Sequence, residues 1–132
     1  MVNASKLPVD TSAIAMELAR AMFGSGIEIR SATYNGDPVS SGIYNQGLTI
    51  AKGIAPSDSG VILSTDFTSS IGKANQTINR STDTGGADND MNAITGVKTF
   101  DAAIFRANFV AAGSTLTMQI AFSSEEYLES VG

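Results

Sequence analysis

Apolar positions along the chain switch between two periods, and the switches mark its elements. In "DTSAIAMELARAMFGSG" the residues Ile14, Leu18, Ala21 and Met22 recur at helical spacing, while Glu17 and Arg20 lie three apart on the opposite side, close enough to pair. The spacing predicts a helix over about 11–23. Asp10, Thr11 or Ser12 stands ready to cap its first amides, and Gly24 or Gly26 to end it in a left-handed turn. The period then shortens to two. "IEIRSATY" places Ile27 and Ile29 on one face but continues with Ala32 and Tyr34 in the opposite phase, as a strand with a bulge or an early bend would.

After the turn "NGDP", short segments around Gly42–Tyr44 and Leu48–Ile50 read as weakly pairing strands. "GVILSTD", Gly60–Asp66, is apolar on both faces and is expected to be central and buried. Between Phe67 and Gly96 the chain is polar and turn-rich, which predicts a long loop. Two strong strand patterns follow. Phe105, Ala107 and Phe109 share a face in "FDAAIFRANFV", and Leu116, Met118, Ile120 and Phe122 share one in "STLTMQIAF"; the link Ala111–Ser114 suits an antiparallel hairpin.

Composition narrows the class. The chain has 132 residues, 42% hydrophobic and only 16% charged, with 13 glycines, which suits short strands and turns better than a helical bundle. Its net charge of −5 and scattered basic residues leave no footprint for a phosphate backbone, so nucleic acid is excluded as a partner class. No apolar run reaches the roughly 20 residues that a membrane span needs, so no membrane insertion is expected. Cysteine and histidine are both absent, which removes disulfides, thiolate zinc sites and the commonest general base. Any metal must then be a hard cation held by oxygen atoms.

The acidic stretch "STDTGGADNDMN" supplies such oxygens. Asp83, Asp88, Asp90 and Asn92 fall within ten residues, and the last three imitate the first ligand positions of an EF-hand loop. The imitation stops there, because Ala93 replaces the obligatory glycine and Thr99 stands where a bidentate glutamate is required. A looser calcium site, formed by this loop alone or with Glu125 or Glu126 brought in by the fold, is one reading; a solvated turn of Asp, Asn and Gly is the other. Glu125 and Glu126 are neighbours, so in extended structure they face opposite ways and fail as a glycosidase pair. A carboxylate hydrolase would need one of them to converge with Asp101 or Glu129, and nothing resembling a nucleophile accompanies them. The plain alternative has Glu125 or Glu126 capping turn amides or pairing with Arg106 or Lys98.

The ordered set "AIAMELARAMFGSGIEIRSATYNG", "GIAPSDSGVILSTD", "DTGGADNDMN" and "TFDAAIFRANFVAAGSTLTMQIAFSSEEYLESVG" resembles the choice-of-anchor L domain family of exported bacterial surface proteins and large adhesins. Two departures stand out. Leu128 occupies the place where the family carries proline, and family members continue beyond the glycine matching Gly132 with further strands. The resemblance implies a mainly β (α+β) fold, an antiparallel β-sandwich-like sheet with one N-terminal helix. Residues 1–132 would form a single domain or the N-terminal half of a larger or split one. It further implies a non-catalytic scaffold or adhesion module, secreted or on the bacterial cell surface and serving cell-surface or biofilm attachment. Strands from the same parent protein or a partner chain would complete its sheet. The rival expectation is a calcium-dependent domain binding a glycan or peptide.

Overall fold

The computed structural model describes residues 7–71 and 86–123. Within them the fold is α+β, built on two antiparallel sheets. Strands β1 (Val9–Asp10), β3 (Ser41–Tyr44) and β4 (Gly60–Leu63) form one sheet in the order β1-β3-β4; β2 (Ile27–Asn35) and β5 (Ile104–Ala111) form the other. Helices α1 (Ala15–Phe23), α2 (Gly47–Ile50) and α3 (Asn89–Thr95) accompany them, with short 3-10 turns at Gly24–Gly26, Pro38–Ser40 and Thr68–Ser70.

Helix α1 matches its period closely, with Leu18 and Ala19 completely shielded from solvent. It packs against β2 of one sheet and β3 and β4 of the other. Its start lies later than the sequence suggests. Asp10 turns its carboxylate onto the Ser12 amide and hydroxyl, at 2.8 and 2.6 Å, and so does not cap the helix. Instead the Glu17 carboxylate accepts the Ile14 N–H at 2.9 Å, half of a capping box, since isoleucine has no side-chain acceptor to return. Gly24 ends the helix at a positive φ of 68°, but its ψ of −161° is not that of the expected left-handed turn.

The phase change in β2 is a bulge. Ile29 pairs with Phe109 and Ser31 with Asn108, which leaves Arg30 as the extra residue and returns Ala32 and Tyr34 to the face that Ile27 and Ile29 began. Across the pair, Ile29 meets Phe109, Ala32 meets Ala107, and Tyr34 meets Phe105. The face is thus apolar in both strands. Phe23 at the end of α1 lies against Phe109 with ring centroids 4.7 Å apart, so the helix covers it.

The three-stranded sheet is packed by close approach. Tyr44 is buried, and its ring fills the space over two glycines: a Cβ would lie 2.7 Å from it at Gly47 and 2.8 Å at Gly60. The Tyr44 hydroxyl reaches Ser57 Oγ at 3.0 Å, and Ser57 donates onward to the Ser59 carbonyl. Thr68 is fully buried beneath β3 and shares its hydroxyl proton between the carbonyls of Val39 and Ser41, at 3.1 and 3.3 Å.

Several expectations are corrected. Leu48–Ile50 belongs to helix α2 rather than a strand, because Asp58 holds that helix's first amides: its carbonyl accepts from Gly47 at 2.8 Å and its carboxylate from Leu48 at 3.3 Å. The segment 60–66 is an edge and not a centre; β3 takes the middle, and Leu63 is exposed. Among its described residues, the expected loop over Phe67–Gly96 contains a 3-10 turn at Thr68–Ser70 and helix α3, so α1 is joined by further helical segments. "STLTMQIAF" forms no strand. Residues 112–123 lack regular structure and stay exposed, with Ile120 at 79% and Phe122 at 92%, because β5 pairs only with β2 among the described residues and no second layer covers the alternating face.

Leu18→Ala is expected to lower unfolding free energy by about 2–5 kcal/mol, read as a shifted denaturant midpoint at unchanged slope. Gly47→Ala should also destabilise, since the added Cβ would meet the Ser57 carbonyl at 2.5 Å as well as the Tyr44 ring at 2.7 Å.

Candidate functional site

The acidic stretch sits beside the outer face of the β2–β5 sheet. Helix α3 buries none of its residues, so packing contributes little to it, and a helix of seven residues is marginal on its own. Hydrogen bonds at both ends compensate. Asp88 caps the first turn, accepting from the amides of Asp90 at 2.8 Å and Met91 at 3.3 Å. Gly96 closes the last turn at φ 72°. Thr99 then ties the ends together: its hydroxyl accepts the Asp88 N–H and donates to Asn92 Oδ1, both at 2.9 Å, while Asn92 Oδ1 also accepts the Thr99 N–H at 2.6 Å.

The D-x-D-x-N spacing therefore has a local structural use. Asp88 and Asn92 direct oxygens at main-chain amides, and the threonine in the position of the EF-hand glutamate completes their network. Asp90 turns the other way, toward β5, with its Oδ2 3.7 Å from Arg106 Nη2. Both side chains are largely exposed, so the pair contributes at most about 1 kcal/mol. Asp83, Glu125 and Glu126 lie outside the described residues. Among those described, no three acidic, histidine or cysteine side chains converge on a point where a metal ion could sit.

Asp90 and Arg106 stand on the wall of a polar cleft of about 230 Å³, completed by Asn35, Ile104 and the segment from Ala87 to Asn89. Asn35 is a lining residue that the sequence does not single out, and Arg106, expected as a partner of Glu125 or Glu126, stands instead against Asp90. The available signal was strand parity, which sets Thr33, Asn35 and Arg106 on the polar face, together with the register that places Arg106 opposite Thr33 and Asn35 opposite Ile104. Asp101, a candidate carboxylate for a hydrolase, is buried at φ 52°, a left-handed position that aspartate tolerates better than most residues.

At the end of β2, the Tyr34 hydroxyl donates to the Asp37 carbonyl at 2.7 Å. Burial raises its pKa above the ordinary 10.0, a hydrogen bond with Ser41 opposes the shift, and the charge of Asp37 adds to it.

These elements define a β-rich α+β domain whose acidic motif builds structure at a sheet's polar face. The chain belongs to the Choice-of-anchor L domain family, whose model matches residues 6–132, and it is in that sense a bacterial surface-protein module. No curated protein and no solved structure matches the chain. No helix among the described residues is long and apolar enough to cross a membrane.

Asp88→Ala is expected to cost about 0.5–2 kcal/mol of local stability, seen as faster hydrogen exchange at the amides of Asp90 and Met91 while those of α1 keep their protection. In alkaline titration the folded Tyr34 should hold its proton to higher pH than the unfolded chain does. Its stabilisation is therefore whole below pH 10.0 and disappears as pH climbs through the raised folded value. Phenolate absorbance should lose its late-titrating component in Tyr34→Phe.

Proposed function

We propose that the chain acts without catalysis, as an extracellular scaffold or adhesion module of a bacterial adhesin that supports cell-surface or biofilm attachment. Further strands of the parent protein, or of a partner chain, complete its sheet. The family membership supports the destination. The observation that carries the completion is the stretch after β5: Leu116, Met118, Ile120 and Phe122 repeat at strand period and all stand exposed beside a sheet that has two strands among the described residues. An isolated two-stranded sheet is marginal in water, and an alternating apolar stretch gains most from pairing on such an edge.

A second reading is a calcium-dependent site for a glycan or peptide on the polar face. It rests on Asp90, Asn35 and Arg106 sharing one cleft, where a cation would need oxygens beyond those that Asp88 and Asn92 have committed to amides.

Hydrogen exchange across residues 115–122 is the direct test. Rapid exchange is expected in this chain alone and strong protection in the longer parent protein. Protection already present in a monomer of this chain would remove the completion argument. For attachment, deleting residues 6–132 from the parent should abolish surface binding while export continues. A melting-temperature rise with Ca²⁺ over chelator, lost in Asp90→Asn, would favour the second reading, since an ion that binds only the native state must stabilise it.

A further inference from the structure

The dipeptide Asn35–Gly36 stands where β2 leaves its sheet. Asn35 forms the last rung of the ladder, opposite Ile104, and is exposed; Gly36 lies just beyond it. Every other asparagine in the chain is followed by a residue with a side chain. That matters chemically, because a side chain on the following residue hinders attack by its backbone nitrogen on the asparagine amide. Here the fold itself demands the glycine. A Cβ at position 36 would sit 2.6 Å from the Tyr34 hydroxyl and 2.9 Å from the Ala102 carbonyl, so no side chain fits. Packing at the end of β2 thus holds an exposed asparagine next to the one residue type that leaves it open to cyclisation.

We infer that Asn35 is a site of spontaneous deamidation that places a new carboxylate in the cleft shared by Asp90 and Arg106. The Gly36 backbone nitrogen loses its proton and attacks Asn35 Cγ; the new C–N bond closes a five-membered imide, and the side-chain nitrogen leaves as ammonia. Water then opens either imide C–N bond, giving aspartate or isoaspartate at position 35. The net exchange is one water for one ammonia, and the net charge of −5 becomes one unit more negative.

The consequence is local. Asn35 and Arg106 line the same cleft, and Arg106 already faces Asp90 at 3.7 Å. A carboxylate at 35 competes with Asp90 for the one guanidinium there, which loosens the contact between α3 and β5 and makes the cleft more acidic. Deamidation thereby adds a carboxylate to a recess already lined by Asp88, Asp90 and Arg106, and strengthens its preference for cations over anions. The inference is independent of what the module attaches to.

Ageing the folded chain for days at mildly alkaline pH and physiological temperature, followed by peptide mass spectrometry of the tryptic fragment 31–52, tests it. Expected are amide-to-acid conversion at Asn35 as a mixture of aspartate and isoaspartate, unchanged Asn45 in the same fragment, and a new species more strongly retained on anion exchange. Asn35→Gln should abolish that species. If Asn35 keeps its amide in the folded chain while converting readily in guanidinium, the fold protects the site and the inference fails. The Asn35→Asp variant tests the Arg106 step separately: the arginine side-chain NMR signal should move, and an unmoved signal overturns that step.

Discussion

Leu18 and Ala19 lose all contact with solvent because helix α1 lies against strands of both sheets. Neither sheet is large. Among the described residues, one pairs two residues of β1 and four of β4 onto β3, and the other has two strands, so each exposes a face that it cannot bury alone. A single amphipathic helix supplies cover to both. That dual role explains why its period is the cleanest signal in the chain and why its C-terminal Phe23 must be large enough to reach Phe109. The bulge at Arg30 serves the same surface. Without the extra residue, Ala32 and Tyr34 would turn outward, and the apolar strip under α1 would stop halfway along β2.

Away from this core, polar groups hold the backbone where apolar area is scarce. Asp58 anchors α2, Thr68 ties the residues flanking Ser40, and Thr99 closes α3 through Asp88 and Asn92. Each involves a short Asp, Asn, Ser or Thr side chain directed at the main chain. Such bonds contribute about 1 kcal/mol apiece, modest beside a buried leucine but decisive for a helix that buries nothing. The abundance of these residues between strands is therefore structural as well as solubilising.

The sequence disclosed what depends on periodicity and hid what depends on distant partners. Helix α1, the phase change in β2 and the inward set Phe105, Ala107 and Phe109 follow from spacing alone, and each is present. Helix α2 was missed because its anchor, Asp58, is ten residues from Leu48 and invisible to a local window. Helix α3 was missed because "NDMNAIT" is poor in strong helix formers and forms through caps. The first helical turn starts later than the spacing suggests because Glu17 caps it from within the helix, whereas Asp10, Thr11 and Ser12, the usual capping types, lie before it. For the candidate site, spacing located Asp88, Asp90 and Asn92 in one small region. It does not show that two of the three spend oxygens on amides, Asp88 on those of its own first turn and Asn92 on that of Thr99.

The stretch from Ser114 to Phe122 shows the limit of pattern more sharply than any missed helix. Its alternation is as regular as that of β5, yet it stays unpaired among the described residues while β5 does not. The difference is cover. Phe105 and Phe109 face Tyr34, Ile29 and, through Phe23, helix α1; Ile120 and Phe122 face solvent. A strand is stabilised by its neighbours on the same face as much as by its ladder, so period two states which residues would share a face without supplying the face that receives them. The same constraint governs the polar side of the sheet, where Asn35, Arg106 and Asp90 meet only because the Arg30 bulge sets the register. Shift that register by one residue, and Arg106 would no longer stand opposite Thr33 on the side where Asp90 waits. The apolar strip beneath α1 and the polar cleft beyond it are thus two outcomes of one inserted residue.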